Sequence, residues 1–203
     1  MVRQTNNGGF WRNLALFTLL LIPLVNCSET EEAAISPSTA GDLVITEIMA
    51  IPTVVPDPDG EWFELYNASG SLLNLAQCVI SDSVMDFHII VRDVFADTGE
   101  YITIAATINA GFPASYAFGP LGFILANTAD QIILTCNAVL IDIVSYDNGG
   151  VAGFPLTPVG ASLKLSGAAL DATSNNTGAN WCLSTAVYNI TDMGTPNAAN
   201  TCP

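Results

Sequence analysis

Positive charge is what this chain has least of. Its 203 residues include four Lys or Arg and one His, against 19 Asp and Glu. Arg3 and Arg12 lie near the start, so the chain from Cys27 onward keeps only Arg92 and Lys164 against all 19 carboxylates, a formal −17. Such a surface repels phosphates and anionic headgroups, so no nucleic-acid partner is expected. Helical periodicity and heptads are missing beyond the first 26 residues, which excludes a helix bundle or a coiled coil. There is no CxxC pair and His88 stands alone, which argues against structural zinc. A glycine-framed serine and a GxxxxGK loop are also missing, so neither a serine-hydrolase elbow nor a phosphate cradle is expected. The chain is nonetheless half hydrophobic and only 11% charged, which suits a folded domain with a substantial core.

What is present begins with a leader. Arg3 and Arg12 precede the apolar run Leu14 to Val25, twelve residues that are short for a membrane span and typical of a signal-peptide core. The run ends in LVNC, residues 24–27, which resembles a bacterial lipobox, with lipid carried by Cys27. Asn26 departs from the small residue usual before that cysteine. The alternative is ordinary secretion, with cleavage after Ser38 to Ala40. Residues 1–26 are therefore expected to be a lipoprotein signal peptide with a helical core, and residues 27–40 an acidic tether. Residues 41–203 are expected to form the folded domain.

Two stretches organise that domain, GDLVITEI from Gly41 and GEWFELYN from Gly60. Alternation puts Trp62, Glu64 and Tyr66 on one face and Phe63 and Leu65 on the other. In the first stretch it puts Leu43, Ile45, Glu47 and Met49 together, opposite Val44, Thr46 and Ile48. Apolar residues on both faces predict two paired central strands, joined by a Pro-rich loop. Further strands are predicted at 72–81, 87–91, 101–105, 123–125, 131–136, 139–146 and 161–165, with a long loop over 107–121. The fold expected is an all-β sandwich.

The succession GDLVITEIM, GEWFELYN, LNLAQCVISD, EYITIA, FILANTADQIIL, LIDIVSY, GASLKL, WC and GTPNAAN resembles the lamin tail domain of bacterial exported proteins. It spans residues 41–200. The resemblance implies an immunoglobulin-like β-sandwich without catalytic residues of its own. Cys78 departs from it, standing where the family often has Trp.

An exported chain pairs its cysteines. Setting Cys27 aside leaves Cys78, Cys136, Cys182 and Cys202, which allow three connectivities. Cys78–Cys136 is favoured because both lie in predicted core strands, and Cys182–Cys202 would then tie back an irregular C-terminal tail. Two acidic features remain. Glu47 and Glu64 interrupt apolar faces on adjacent strands, as a glycosidase pair would. Alternatively, they serve as buried hydrogen-bond acceptors that hold the two strands together. Asp57, Asp59 and Glu61 alternate through PDPDGE and offer loop oxygens for Ca²⁺. The main reading is a non-catalytic, lipid-anchored envelope module on the outer membrane or cell surface. It would bind the membrane through its anchor and a protein or glycan through the sandwich. The other readings are an envelope glycan hydrolase using Glu47 and Glu64, and a carbohydrate-binding sandwich with an exposed aromatic row. Phe112, Tyr116, Phe118 and Phe154 could supply a loop contact patch or simply pack their own loops. N-x-S/T triplets at Asn67, Asn175 and Asn189 carry no weight in a bacterial chain.

Overall fold

The computed structural model describes Met1, residues 33–84 and residues 86–202. The signal peptide, Cys27 and the first part of the acidic segment lie outside the described residues. Among those described there are 14 strands and two single turns of 3₁₀ helix, Ser174–Asn176 and Gly178–Asn180. The strands are β1 (Leu43–Met49), β2 (Trp62–Asn67), β3 (Leu73–Asn74), β4 (Val79–Ser81), β5 (Phe87–Ile89), β6 (Phe95–Ala96) and β7 (Tyr101–Ala105). They continue with β8 (Tyr116–Ala117), β9 (Asp130–Cys136), β10 (Val139–Tyr146), β11 (Leu163–Leu165), β12 (Trp181–Leu183), β13 (Val187–Asn189) and β14 (Asp192–Met193). Six form one sheet in the order β12-β11-β1-β2-β7-β8, and four form another in the order β10-β9-β4-β5. Ile45, Phe63, Leu65, Ile104 and Leu163 from the first sheet share one core cluster with Ile80, Ile132, Leu134 and Val144 from the second. This is the β-sandwich that the sequence implies.

β1 and β2 pair antiparallel at the centre of the larger sheet. Their facing differs from simple alternation. The register shifts between Ile45 and Glu47, a bulge in which Thr46 is the extra residue. Ile45 and Ile48 stay in the main core opposite Leu65 and Phe63. Glu47 and Met49 therefore leave the face of Ile45 and join Glu64 and Trp62 on the outer face. Without the bulge, Glu47 would enter the main core.

Other differences have local causes. The strand expected over 72–81 breaks into β3 and β4 because Gln77 turns to φ 68°. The Asn137-Ala138 turn between β9 and β10 has both residues at positive φ, as a two-residue hairpin requires. The long loop over 107–121 contains β8, which pairs parallel with β7. Residues 123–125 form no strand, although Phe123 and Leu125 are buried. The C-terminal region is more ordered than the irregular tail expected, since it carries β12, β13 and β14. Ile35, expected in the tether, bridges Leu73, and the Ser38 and Thr39 amides donate to Asp42 Oδ2 at 2.8 and 2.9 Å. The end of the acidic segment thus belongs to the folded body.

Candidate functional site

Cross-strand register places Cys182, Lys164, Glu47, Glu64 and Thr103 in one row over the outer face of the larger sheet. Glu47 and Glu64 are neighbours in that row, and both are completely buried. Residues 195–202 cover them. Thr195 donates its amide to Glu47 Oε1 at 2.9 Å, and the Ala198 amide donates to Glu64 Oε2 at 3.3 Å. Asn200 donates Nδ2 to the Thr46 carbonyl at 2.8 Å, and Thr103 donates its hydroxyl to Asn197 Oδ1 at 2.8 Å. Ser162 adds a short hydrogen bond to Glu47 Oε1, and Thr46 donates to Glu64 Oε1 at 2.9 Å. The strap is closed by the Cys182–Cys202 disulfide.

The hydrogen-bond geometry around Glu47 fits a protonated carboxyl. Thr195 has one hydroxyl proton, and its Oγ1 lies 2.7 Å from Glu47 Oε2 and 2.6 Å from Asn200 Oδ1. The Asn200 amide is oriented by its bond to Thr46, so its oxygen needs that proton. The contact with Glu47 is then satisfied by a proton on the carboxyl. Burial agrees: it pushes Glu47 above the ordinary carboxylate range, outweighing the donors from Ser162 and Thr195 and the charge of Lys164. Glu64 is raised to about 9 by burial, against the donors from Thr46 and the Ala198 amide. A glycosidase pair needs a path for sugar and water, and this pair has none beneath the strap. The hydrolase expectation thereby loses the two residues that carried it. The same glutamates match the other expectation, as acceptors that hold the fold together.

The acidic loop is divided. Asp57 and Asp59 are exposed, while Glu61 is fully buried and accepts the Leu125 amide at 2.8 Å. Asp57 accepts from Asn127 Nδ2 at 3.0 Å. Burial raises Glu61 to about 9, aided by Asp57 and Asp130 and opposed by the Leu125 amide. Among the described residues no three His, Cys, Asp or Glu side chains are grouped so that they could hold a metal ion.

Other polar groups serve the fold as well. Asp142 accepts the Ile45 amide at 2.6 Å and Asn175 Nδ2 at 2.7 Å, and burial raises it to about 6 against those donors. Asp192 receives the Thr53 and Val54 amides at 3.1 and 3.0 Å. Asn67 donates to the Ser71 and Ala96 carbonyls at 2.9 Å and is fully buried, as is Asn175. His88 is half-buried, with Nε2 2.8 Å from the Tyr116 hydroxyl, and burial holds its pKa down. The loop aromatics pack inward: Phe112 meets Trp62 edge-on at 5.3 Å, and Phe154 lies 5.6 Å from Trp181. Tyr116 and Phe118 are buried beside His88. They form no outward patch.

Both favoured cysteine pairs are disulfides, Cys78–Cys136 and Cys182–Cys202. Such bonds are typical of exported proteins. The model of the lamin tail domain family matches residues 36–148. The chain belongs to the lamin tail domain family. A comparison with curated proteins finds no match. The lamin tail domain here is an immunoglobulin-like β-sandwich module, and residues 149–202, beyond the matched part, supply the strap over its outer face.

One surface was not foreseen. Among the described residues, the outer face of the smaller sheet is apolar and uncovered. Register sets Ile89, Val79, Thr135 and Leu140 in one row and Phe87, Ser81, Ile133 and Ile143 in the next. Phe87 is 62% exposed, Leu140 47% and Ile89 41%, while Val79, Ile133 and Ile143 are half-buried. Neither row carries a charge. Phe87 is the single aromatic among these residues, so they provide no aromatic row for stacking sugars.

Proposed function

We propose that this lamin tail domain is a lipid-anchored, non-catalytic module of the bacterial cell envelope that holds a protein partner. The observation that carries this reading is the uncharged apolar face of the smaller sheet on a chain otherwise dense in carboxylates. Exposed apolar patches of this kind favour protein contacts. The buried carboxylates Glu47, Glu64, Asp142 and Asp192 are all occupied as acceptors within the fold. A glycan partner is the second choice, because the face has one aromatic.

Anchoring at Cys27 is supported by the docked end of the acidic segment. Cleavage after Ala40 would remove Ile35 from its bridge with Leu73 and the Ser38 and Thr39 amides from Asp42. Cleavage before Cys27 keeps all three. Mass spectrometry of the mature protein is expected to find an acylated N-terminus at Cys27, and Cys27→Ala should move the protein out of the membrane fraction. An unmodified chain beginning near Gly41 would overturn the anchored reading.

A further inference from the structure

Among the described residues, β5 lies at the edge of the smaller sheet and pairs only with β4. The Asp82 amide donates to the Asp86 carbonyl at 3.0 Å and the Ile90 amide to the Cys78 carbonyl at 2.9 Å. These fix the alternation of the antiparallel ladder: residues 86, 88 and 90 bond toward β4, so the N–H and C=O groups of Phe87 and Ile89 point to the open edge. The next outward amide, that of Val91, is taken by the Tyr116 hydroxyl at 3.2 Å. The open edge is therefore two residues long, with exposed apolar side chains at both. Natural edges are usually blunted by charge, proline or cover, and this one has none of these at Phe87 or Ile89.

We propose that β5 pairs antiparallel with β5 of a second copy, joining two four-stranded sheets into one of eight across a two-fold axis at His88. This rests on the reading of the domain as a protein-holding module and names its partner. The register follows from which groups are free. Pairing Phe87 with Ile89 of the other copy, and the reverse, uses all four outward amides and carbonyls and leaves Val91 with Tyr116. Any other register loses one of these pairs or needs the Val91 amide. Charge fits the same register. Asp86 is exposed at one end of the strand, and Arg92, one of the two cations after the leader, lies at the other. Arg92 is held by the Asp93 and Ser115 carbonyls and stacks over Tyr116 at 5.1 Å, with no carboxylate among these partners. Antiparallel pairing brings Asp86 diagonal to Arg92 of the other copy on one face, within reach of a long side chain. An isologous contact makes this complementarity twice.

Two such short edges bond weakly, and both copies carry a large negative charge, so association should strengthen with salt up to about 0.5 M as the long-range repulsion is screened. The detergent-solubilised full-length exported protein is expected to show a concentration-dependent dimer in sedimentation velocity. Ile89→Pro removes an amide that faces the open edge, which the monomer tolerates, and should weaken the dimer roughly tenfold or more. Asp86→Arg and Arg92→Asp should each weaken it, and the double variant should restore it. His88→Cys, placed on the axis, should form a reducible dimer on intact cells, while Leu121→Cys should not. A monomer at every concentration and salt, with no His88→Cys cross-link, overturns the proposal, as does capture of a different protein on β5 by a chain that stays monomeric. An unmodified Cys27 would defeat the anchored reading and leave the sedimentation result standing.

Discussion

The two outer faces of the sandwich are finished in opposite ways. On the larger sheet Glu47 and Glu64 stand beside Trp62 and Met49, and the strap closes over them with a disulfide and a series of backbone and side-chain donors. On the smaller sheet the corresponding face bears Ile, Leu, Val and Phe and has no cover among the described residues. Cover has followed polar need here rather than hydrophobicity. A carboxyl on a packed sheet is costly unless donors reach it, and the strap brings them. Half-exposed isoleucines make no such demand.

The sharpest way to break this contrast is to remove the polar need. Glu47→Ala would leave the Thr195 amide and the Ser162 hydroxyl without their acceptor, and the Thr195 hydroxyl oxygen without its donor, beneath the strap. We expect a loss on the order of 4 kcal/mol in chemical denaturation, from several stranded groups plus a cavity. Glu47→Gln should cost less than about 1 kcal/mol. Its amide nitrogen replaces the acid proton facing Thr195 Oγ1, and its oxygen keeps the other donors. If both variants lost equally, Glu47 would be ionised and the proton accounting wrong.

A smaller effect comes from pH. Glu64 titrates near the ordinary glutamate value of 4.5 when unfolded and at about 9 when folded, so in the native state it stays protonated where the unfolded chain ionises. Its contribution is complete below about pH 4.5 and declines as pH rises toward 9. Glu61, also raised to about 9, and Asp142, raised to about 6, act in the same direction. The melting temperature should fall by several degrees between pH 5 and pH 9, roughly as a few kcal/mol would require. Glu64→Gln should flatten that slope by removing one titrating group. A melting temperature that climbs over this interval would show these carboxyls to be ionised in the fold.

Much of the sandwich is written in local pattern. β7 and β10 fall where alternation of β-branched residues puts them, and β1 and β2 pair as their two-sided apolar faces require. What escaped is set by distant partners. The strap segment GTPNAAN has no strand-like alternation, because its order comes from acceptors about 150 residues earlier, such as Glu47 for Thr195 and the Thr46 carbonyl for Asn200. The bulge at Thr46 reversed the facing of Glu47, and a period-two reading cannot register one extra residue. Phe123 to Leu125 looked like a strand because it is apolar, yet the Leu125 amide is spent on Glu61. The bare face was missed for a simpler reason. β9 and β10 are apolar on both sides, and sequence alone does not say which side is covered.

That last point yields the smallest effect and the test of the bare face. Phe87 is 62% exposed and projects from a three-residue strand whose inward residue, His88, is tied to Tyr116. Phe87→Ser should therefore change the unfolding free energy of the monomer by no more than about 0.5 kcal/mol, the usual range for an exposed position. Trp62 projects from the other outer face and is fully buried, with Nε1 donating to the Tyr188 hydroxyl at 3.2 Å and Phe112 edge-on against it. Trp62→Ala should cost about 3–5 kcal/mol under the same conditions. Both are aromatics on the outward face of a sheet, and what separates them is whether the chain folds back over them. A Phe87→Ser cost approaching that of Trp62→Ala would mean that the smaller sheet is covered in solution.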